Sequence, residues 1–278
     1  MVVVAHDGGP LLERQLDALR DQTIAPERYE VVVAQVDARG EVFARNEGWR
    51  RARAPRVAFT TDVCRALPGW LEALLAASAG EPAIVHGPTS PFADKLRSRR
   101  PLYDWVDRPL PDFWFPATNV LYPRHVLEQL GGFDETFRGG EAADADLAAR
   151  ATGLGIGASW VQNAVMPHDV VLAPGRKLRR AARAGELALL LRRHPGLRSQ
   201  LPRRVFSRAD HEWLVRAGVA LVVPGRHRWL RWWLAAPYAA RLAGARTLRI
   251  SWPFQLLCDL VEFATLAAGA VRHRVLVL

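Results

Sequence analysis

Three aspartates each sit just beyond a short apolar run: Asp7 after Val2–Ala5, Asp37 after Val31–Ala34 and Asp62 after Val57–Thr60. If these runs are strands of one open parallel sheet, the three carboxylates gather at its carboxyl edge, where such sheets bind ligands. Carboxylates placed there accept hydrogen bonds from ribose hydroxyls and from a pyrimidine imide. Acidic residues also favour turns on conformational grounds, so each one singly reads as well as a turn residue. A second acidic group, Glu141, Asp144 and Asp146, follows Gly139-Gly140 and opens a helical stretch. Its plainest reading is a solvated first turn that complements the helix dipole. His168 ends a later apolar run and reads more readily as a structural histidine than as a functional one. Trp105 and Trp114 lie in a polar, proline-rich passage from Pro88 to Pro116, where they suit either stacking on a sugar or core packing.

Short apolar runs alternating with helical patterns predict an α/β protein with a largely parallel sheet and covering helices. Strands are expected at Val2–Ala5, Val31–Ala34, Val57–Thr60 and Ala83–Val85, with extended segments at Ser159–Val161 and Ala164–Met166. Helices are expected at Leu11–Asp21, Val42–Ala54, Gly69–Ser78, Arg124–Leu130 and Ala142–Thr152. Gly131, directly after Leu130, suits a helix C-terminus. The passage holding Arg97, Arg99 and Arg100 is long enough to suggest a functional loop. Composition changes at Leu172-Ala173-Pro174-Gly175, so two domains are expected, 1–170 and 171–278. The second reads as all-α, with helices over Lys177–His194, Asp210–Val222, Arg228–Leu242 and Ser251–Val271, and with Asp210 and Ser251 as caps.

The chain has 278 residues, 50% of them hydrophobic and 24% charged, which reads as globular and not disordered. Its net charge of +10 hides an asymmetry. Up to Asp169 there are 18 basic against 23 acidic residues; from Val170 onward there are 20 against 5. Such a tail suits an anionic partner. Arg228–Leu242 interleaves Trp229, Trp232, Trp233 and Tyr238 with Arg228, Arg231 and Arg241. That mixture suits an anionic membrane surface, or a helix packed on the rest of the chain with solvated arginines. Nucleic acid is not expected as a partner, because no helix-turn-helix, RNA-binding or zinc pattern accompanies the charge. Two cysteines, no recognisable signal peptide and no run of about 20 apolar residues point to a cytoplasmic protein, peripheral at the inner face of the cell membrane.

Two longer motifs carry a resemblance. Gly131-Gly132-Phe133-Asp134-Glu135, Gly139-Gly140-Glu141, Asp144-Ala145-Asp146-Leu147 and Met166-Pro167-His168 together resemble the acceptor half of the family 2 glycosyltransferases. Ala44-Arg45-Asn46-Glu47-Gly48, Val57–Cys64 and Pro68-Gly69-Trp70-Leu71 resemble the donor half, in the right order and spacing, so residues 2–170 are covered. The resemblance implies a GT-A-type nucleotide-binding sheet flanked by helices, with a basic all-α region following. It also implies inverting transfer from a nucleotide-sugar, UDP- or dTDP-linked, to a saccharide or lipid-linked acceptor in cell-surface polysaccharide assembly. On this footing Asp144 is the catalytic base, Asp146 caps or orients its helix, and Glu141 stands in for a missing glutamate. His6, Asp7, Asp37, Arg45, Asn46, Asp62 and Asn119 fall on donor-binding positions, and Trp105 and Trp114 face the acceptor.

The chain departs from the family at several places: Gln35-Val36 stands for its paired aspartates, with Asp37 just beyond, and Ala143 for its glutamate. His6-Asp7 replaces the usual Tyr-Asn, and Thr61-Asp62-Val63 lacks the outer aspartates that bind Mg²⁺ or Mn²⁺ on the diphosphate. Three readings stay open: Asp62 and His168 hold the metal; the loop arginines neutralise the diphosphate without metal; or catalysis has been lost. The last would leave a silent GT-A-like protein that binds a nucleotide-sugar or serves a membrane-associated partner.

Overall fold

The computed structural model describes residues 1–6, 8–79, 84–90, 115–168, 174–245 and 252–278. The expected positions Asp7, Trp105 and Trp114, the loop arginines Arg97, Arg99 and Arg100, and the Ser251 cap lie outside the described residues. The chain divides into two compact units, one ending at Val171 and the other running from Leu172 to Leu278.

In the first unit, β1 (Val2–Ala5), β2 (Val32–Gln35), β3 (Arg56–Thr61), β4 (Ile84–His86), β6 (Val120–Pro123) and β7 (Ala158–Trp160) form one sheet. Its order is β2-β1-β3-β6-β4-β7, and β5 (Thr89–Ser90) pairs with β8 (Met166–Pro167) in a separate ribbon. β1 is fully buried, which is why it reads as an unbroken apolar run and not as an alternating one. It pairs in parallel with β2 and with β3, as β4 does with β7. The sheet is therefore mainly parallel, but β6 runs antiparallel to both β3 and β4. That reversal was not expected. β6 leads straight through Pro123 into a helix, so no turn signal sets it apart.

Among the described residues five helices flank the sheet: α1 (Pro10–Arg20), α2 (Glu41–Arg51), α3 (Trp70–Ala77), α4 (Arg124–Leu130) and α5 (Gly140–Gly153). A core of Val3, Leu19, Trp70, Leu74, Val85, Leu121 and Met166 joins α1 and α3 to the strands. Each fully buried aliphatic side chain there contributes on the order of 2 kcal/mol. α4 closes on Gly131 in the left-handed conformation at φ 71°, the position glycine fills most readily.

The second unit contains α6 (Pro174–Ala182), α7 (Glu186–Arg193), α8 (Ala209–Val222), α9 (Arg228–Ala245) and α10 (Trp252–His273). The single helix expected over Lys177–His194 is broken in two. A Cβ on Gly185 would lie 2.4 Å from the Thr265 carbonyl oxygen, and one on Gly269 would lie 2.4 Å from the Gly185 carbonyl oxygen. The two backbones touch, and the helix parts at that contact. Asp210 does not cap α8, whose N-cap is Arg208 with no side-chain cap bond. It pairs with Arg208 and Arg241 instead, at 2.7 and 2.6 Å. By length and composition α10 is long and apolar enough to cross a bilayer, contrary to the expectation of no such run. Asp259 and Glu262 interrupt its sequence; both are ion-paired within this unit, where α10 packs against α6, α7 and α9.

Candidate active site

The parallel pairing sets the carboxyl ends of the first three strands level. Val4 faces Thr61 across one pair and Ala5 faces Gln35 across the other. His6 and Asp62 therefore emerge side by side. The Asp62 carboxylate, 2% exposed, accepts a hydrogen bond from the His6 backbone N–H at 2.6 Å and faces His6 Nδ1 at 3.3 Å. On its far side the imidazole meets Glu41 of α2, with Nε2 to carboxylate oxygen 3.7 Å. Hydrogen bonds to Asp62 and then Glu41 outweigh the burial penalty and lift the His6 pKa to about 9, so the ring is a cation at neutral pH.

From Glu41 the network continues to Asp144. One turn along α2, Arg45 pairs with Glu41 and, across to α5, with Asp144 at 2.6 Å. Its Nη1 also donates to the Gly140 carbonyl at 3.3 Å. Its guanidinium lies 5.4 Å above the Phe133 ring, a cation–π distance. The other Asp144 oxygen accepts the Ala117 N–H at 3.0 Å. Burial lifts the Asp144 carboxyl to about 7 against the pull of Arg45. Burial also works against Glu41, but Arg45 and His6 prevail and its pKa falls to about 2. Five side chains, Asp62, His6, Glu41, Arg45 and Asp144, thus form one chain of alternating charge. Glu41 was not among the expected residues; its signal was the i,i+4 spacing to Arg45 on a helix.

Other expected site residues make bonds of their own. Asn46, next to Arg45, is 1% exposed and its amide is fully used. Its Nδ2 donates to the Phe133 carbonyl and to Glu135, each at 2.8 Å, and its Oδ1 accepts from Phe133 N–H and Trp49 Nε1 at 2.9 and 3.0 Å. Its observed work is therefore to clip α2 to the glycine turn, where it was expected to seat a nucleotide. Gly132, at φ 79°, permits the clip, since a Cβ there would come within 2.5 Å of Asn46 Oδ1. Asn119 was expected near the donor sugar, but it is likewise saturated. It accepts from Trp70 Nε1 at 2.8 Å and donates to Pro88 and Ala164 carbonyls at 2.9 and 2.8 Å.

Asp146 is buried and pairs with Arg150 at 2.7 Å, and Arg150 in turn donates to the Leu130 and Gly132 carbonyls, each at 2.8 Å. Glu141 is exposed in the first turn of α5. Asp37 is exposed at the end of β2 and is tied to Arg39, whose N–H it accepts at 2.8 Å. Phe133 packs edge-on against Phe59 at 5.2 Å, and Asp134 accepts the Thr136 N–H at 2.8 Å, closing the turn.

Asp62 and His168 do come to neighbouring backbone positions: Cys64 and His168 form an antiparallel bridge, and Arg65 N–H donates to the Pro167 carbonyl at 2.8 Å. A dedicated divalent-metal site needs more. Val63 offers no ligand atom, the Thr61 hydroxyl lies 3.3 Å from Cys64 Sγ, and the Asp62 carboxylate is engaged by His6. Among the described residues no group of three His, Cys, Asp or Glu side chains assembles. The described residues alone do not make up a metal site. Asp144 is itself 4% exposed, and a surface depression of about 450 Å³ lies away from it, lined by Leu67, Trp70, Glu72 and Asn163.

No family model matches the chain. It is 29% identical to validoxylamine A glucosyltransferase of Streptomyces hygroscopicus subsp. limoneus, over 56% of this chain and 48% of that protein. The same enzyme of S. hygroscopicus subsp. jinggangensis is also 29% identical, over 56% of this chain and 51% of its own length. The chain thus spans about half the length of the curated relatives it matches. Among solved structures, the mannosyltransferase PcManGT of Pyrobaculum calidifontis, in complex with GDP-mannose and Mn²⁺, superposes with a TM-score of 0.55. It is 18% identical and the match covers 98% of this chain and 86% of that one. The chain therefore carries an α/β fold shared with a glycosyltransferase and a partial sequence likeness to two more.

Proposed function

We propose that this chain is an inverting glycosyltransferase that moves a sugar from a nucleotide-sugar donor, UDP- or dTDP-linked, to a saccharide or lipid-linked acceptor in cell-surface polysaccharide assembly. The observation that carries the reading is the chain of ion pairs running from Asp62 at the strand ends through His6, Glu41 and Arg45 to Asp144. It ties the mouth of the sheet to the second turn of α5. Transfer with inversion needs one base and one site of positive charge. In this reading the Asp144 carboxylate takes the proton of the acceptor hydroxyl. The freed oxygen attacks the anomeric carbon, and the bond to the diphosphate breaks with the electron pair leaving on the nucleotide. The His6 cation lies at the strand ends, where it offsets that charge. Because Asp144 is buried against Arg45, its reaction requires that pair to open.

The burial of Asp144 also favours a second reading, a silent nucleotide-sugar binder. Donor consumption with a panel of nucleotide-sugars, with and without Mn²⁺, separates the two. Turnover that vanishes in Asp144→Asn supports transfer; binding of nucleoside diphosphates with no turnover of any donor supports the silent protein.

A further inference from the structure

We propose that the tip of the α8–α9 hairpin is a docking surface for an anionic phospholipid bilayer. α8 and α9 pack against each other. Where the chain turns between them, Leu221 and Val222 are 78 and 80% exposed, and Trp229, Trp232 and Trp233 are 70, 68 and 61% exposed. The three tryptophans fall at i, i+3 and i+4, so they share one face of α9. Clustered apolar exposure of this kind marks an interaction surface, since each ring left in water forgoes its burial energy. An indole, apolar in body with one N–H, is suited to the headgroup boundary of a membrane.

The charge around the tip selects the occupant. From Trp213 to Cys258 the sequence has seven arginines and no aspartate or glutamate. Arg226, Arg228 and Arg231 are exposed beside the tryptophans. Tyr238 and Arg241, expected on the same face, turn inward instead: Tyr238 donates to Asp259 at 2.9 Å, and Arg241 pairs with Asp259 and Asp210. The acidic residues of α8 and α10 are paired away from the tip: Asp210 with Arg208, Glu212 with Arg203 and Glu262 with Arg208. Among the described residues of this unit, the tip is thus apolar and cationic. A second copy of the chain would bring arginines against arginines, and a polyanion such as RNA would leave Leu221 and Val222 in water. Anionic lipid satisfies both components, because its headgroups neutralise the arginines while its acyl boundary receives the rings.

Co-sedimentation of the full chain with vesicles tests this without reference to turnover. Binding is expected to phosphatidylglycerol vesicles, at least about tenfold weaker to phosphatidylcholine, and reduced by about 0.5 M salt. Trp229→Ser with Trp232→Ser should weaken binding by roughly tenfold or more, and Arg228→Gln with Arg231→Gln should remove the lipid-charge preference. Both pairs are exposed, so an unchanged circular dichroism spectrum is expected to accompany each. The proposal is overturned by absent or charge-indifferent vesicle binding, or by binding that survives loss of the tryptophans. A tryptophan-dependent dimer in lipid-free sedimentation equilibrium would assign the face to a second copy and overturn it equally.

Discussion

Arg45 and Asn46 are consecutive on α2, and Asp144 and Asp146 lie two apart on α5, yet each pair divides between two polar assemblies. Arg45 and Asp144 enter the ion-pair chain at the mouth of the sheet. Asn46 and Asp146 enter the clamp around the Gly131–Glu135 turn, the one directly and the other through Arg150. In the clamp, the Asn46 amide and the Arg150 guanidinium, itself paired with Asp146, meet backbone groups and satisfy them. At the mouth, charges are buried against charges, and three of the five side chains shift far from their ordinary titration range. Buried charge is costly unless paired, whereas a saturated amide is not. The clamp fixes α2 against the turn that leads into α5, and that fixing is what lets Arg45 reach Asp144. One assembly clips backbone together; the other holds paired charge at the ends of the strands.

The comparison breaks most visibly at α5. Asp144→Asn is expected to lower turnover by roughly 10³-fold while the protein stays folded, because a general base contributes on this scale. Asp146→Asn should lose far less turnover and mainly lower the melting temperature, because Arg150 keeps its two carbonyl partners. Steady-state kinetics beside thermal melts read both. Equal kinetic losses in the two variants would abolish the distinction between mouth and clamp.

On α2 the expected effects reverse. Asn46→Ala strands the buried Phe133 N–H and removes four hydrogen bonds, so a stability loss of about 3 kcal/mol is expected. If Asn46 instead met the nucleotide, the variant would melt normally and show a raised KM for donor.

Much of this was legible before any coordinates. Strand-end placement of Asp62 followed from its position after an apolar run. The separation of Arg45 from Asn46 was not legible. Neighbours on a helix point about 100° apart, so a shared motif hides two directions. β6 was missed because strand direction leaves no trace in a four-residue run. The break between α6 and α7 depended on Gly269, 84 residues beyond Gly185, and no local pattern carries that information.

Acidity sharpens the comparison further. The Asp144 carboxyl, lifted from an ordinary 3.8 to about 7, keeps its proton in the folded state when the unfolded chain has lost it. Its contribution to stability therefore declines as pH rises across that interval, while the ionised base, and with it turnover, appears through about pH 7. Arg45→Gln removes the opposing cation, so the acid limb of the pH–rate profile should move upward. His6 acts in the adjoining range. Its imidazolium stabilises the fold fully below 6.5, and that contribution is lost as pH rises through about 9. Melts between pH 7 and 9 should show a decline on the order of 2 kcal/mol, which His6→Asn flattens. A clamp variant such as Asp146→Asn should leave both slopes in place.

The smallest expected effect probes the boundary between the two assemblies. Tyr122 is fully buried on β6, its hydroxyl has no hydrogen-bond partner among the described residues, and burial followed by the Asp144 charge raises its pKa far above the usual phenol range. A buried hydroxyl that makes no bond costs desolvation and returns nothing. Tyr122→Phe should therefore melt within about 1 kcal/mol of the parent, or slightly above it. Because the phenol is never ionised beside Asp144, the acid limb of the rate profile should also stay in place. A loss of several degrees together with a shifted limb would place the hydroxyl in the ion-pair chain as a sixth member. The mouth would then extend onto β6, and the division between reactive charge and structural clip would have to be redrawn through Tyr122.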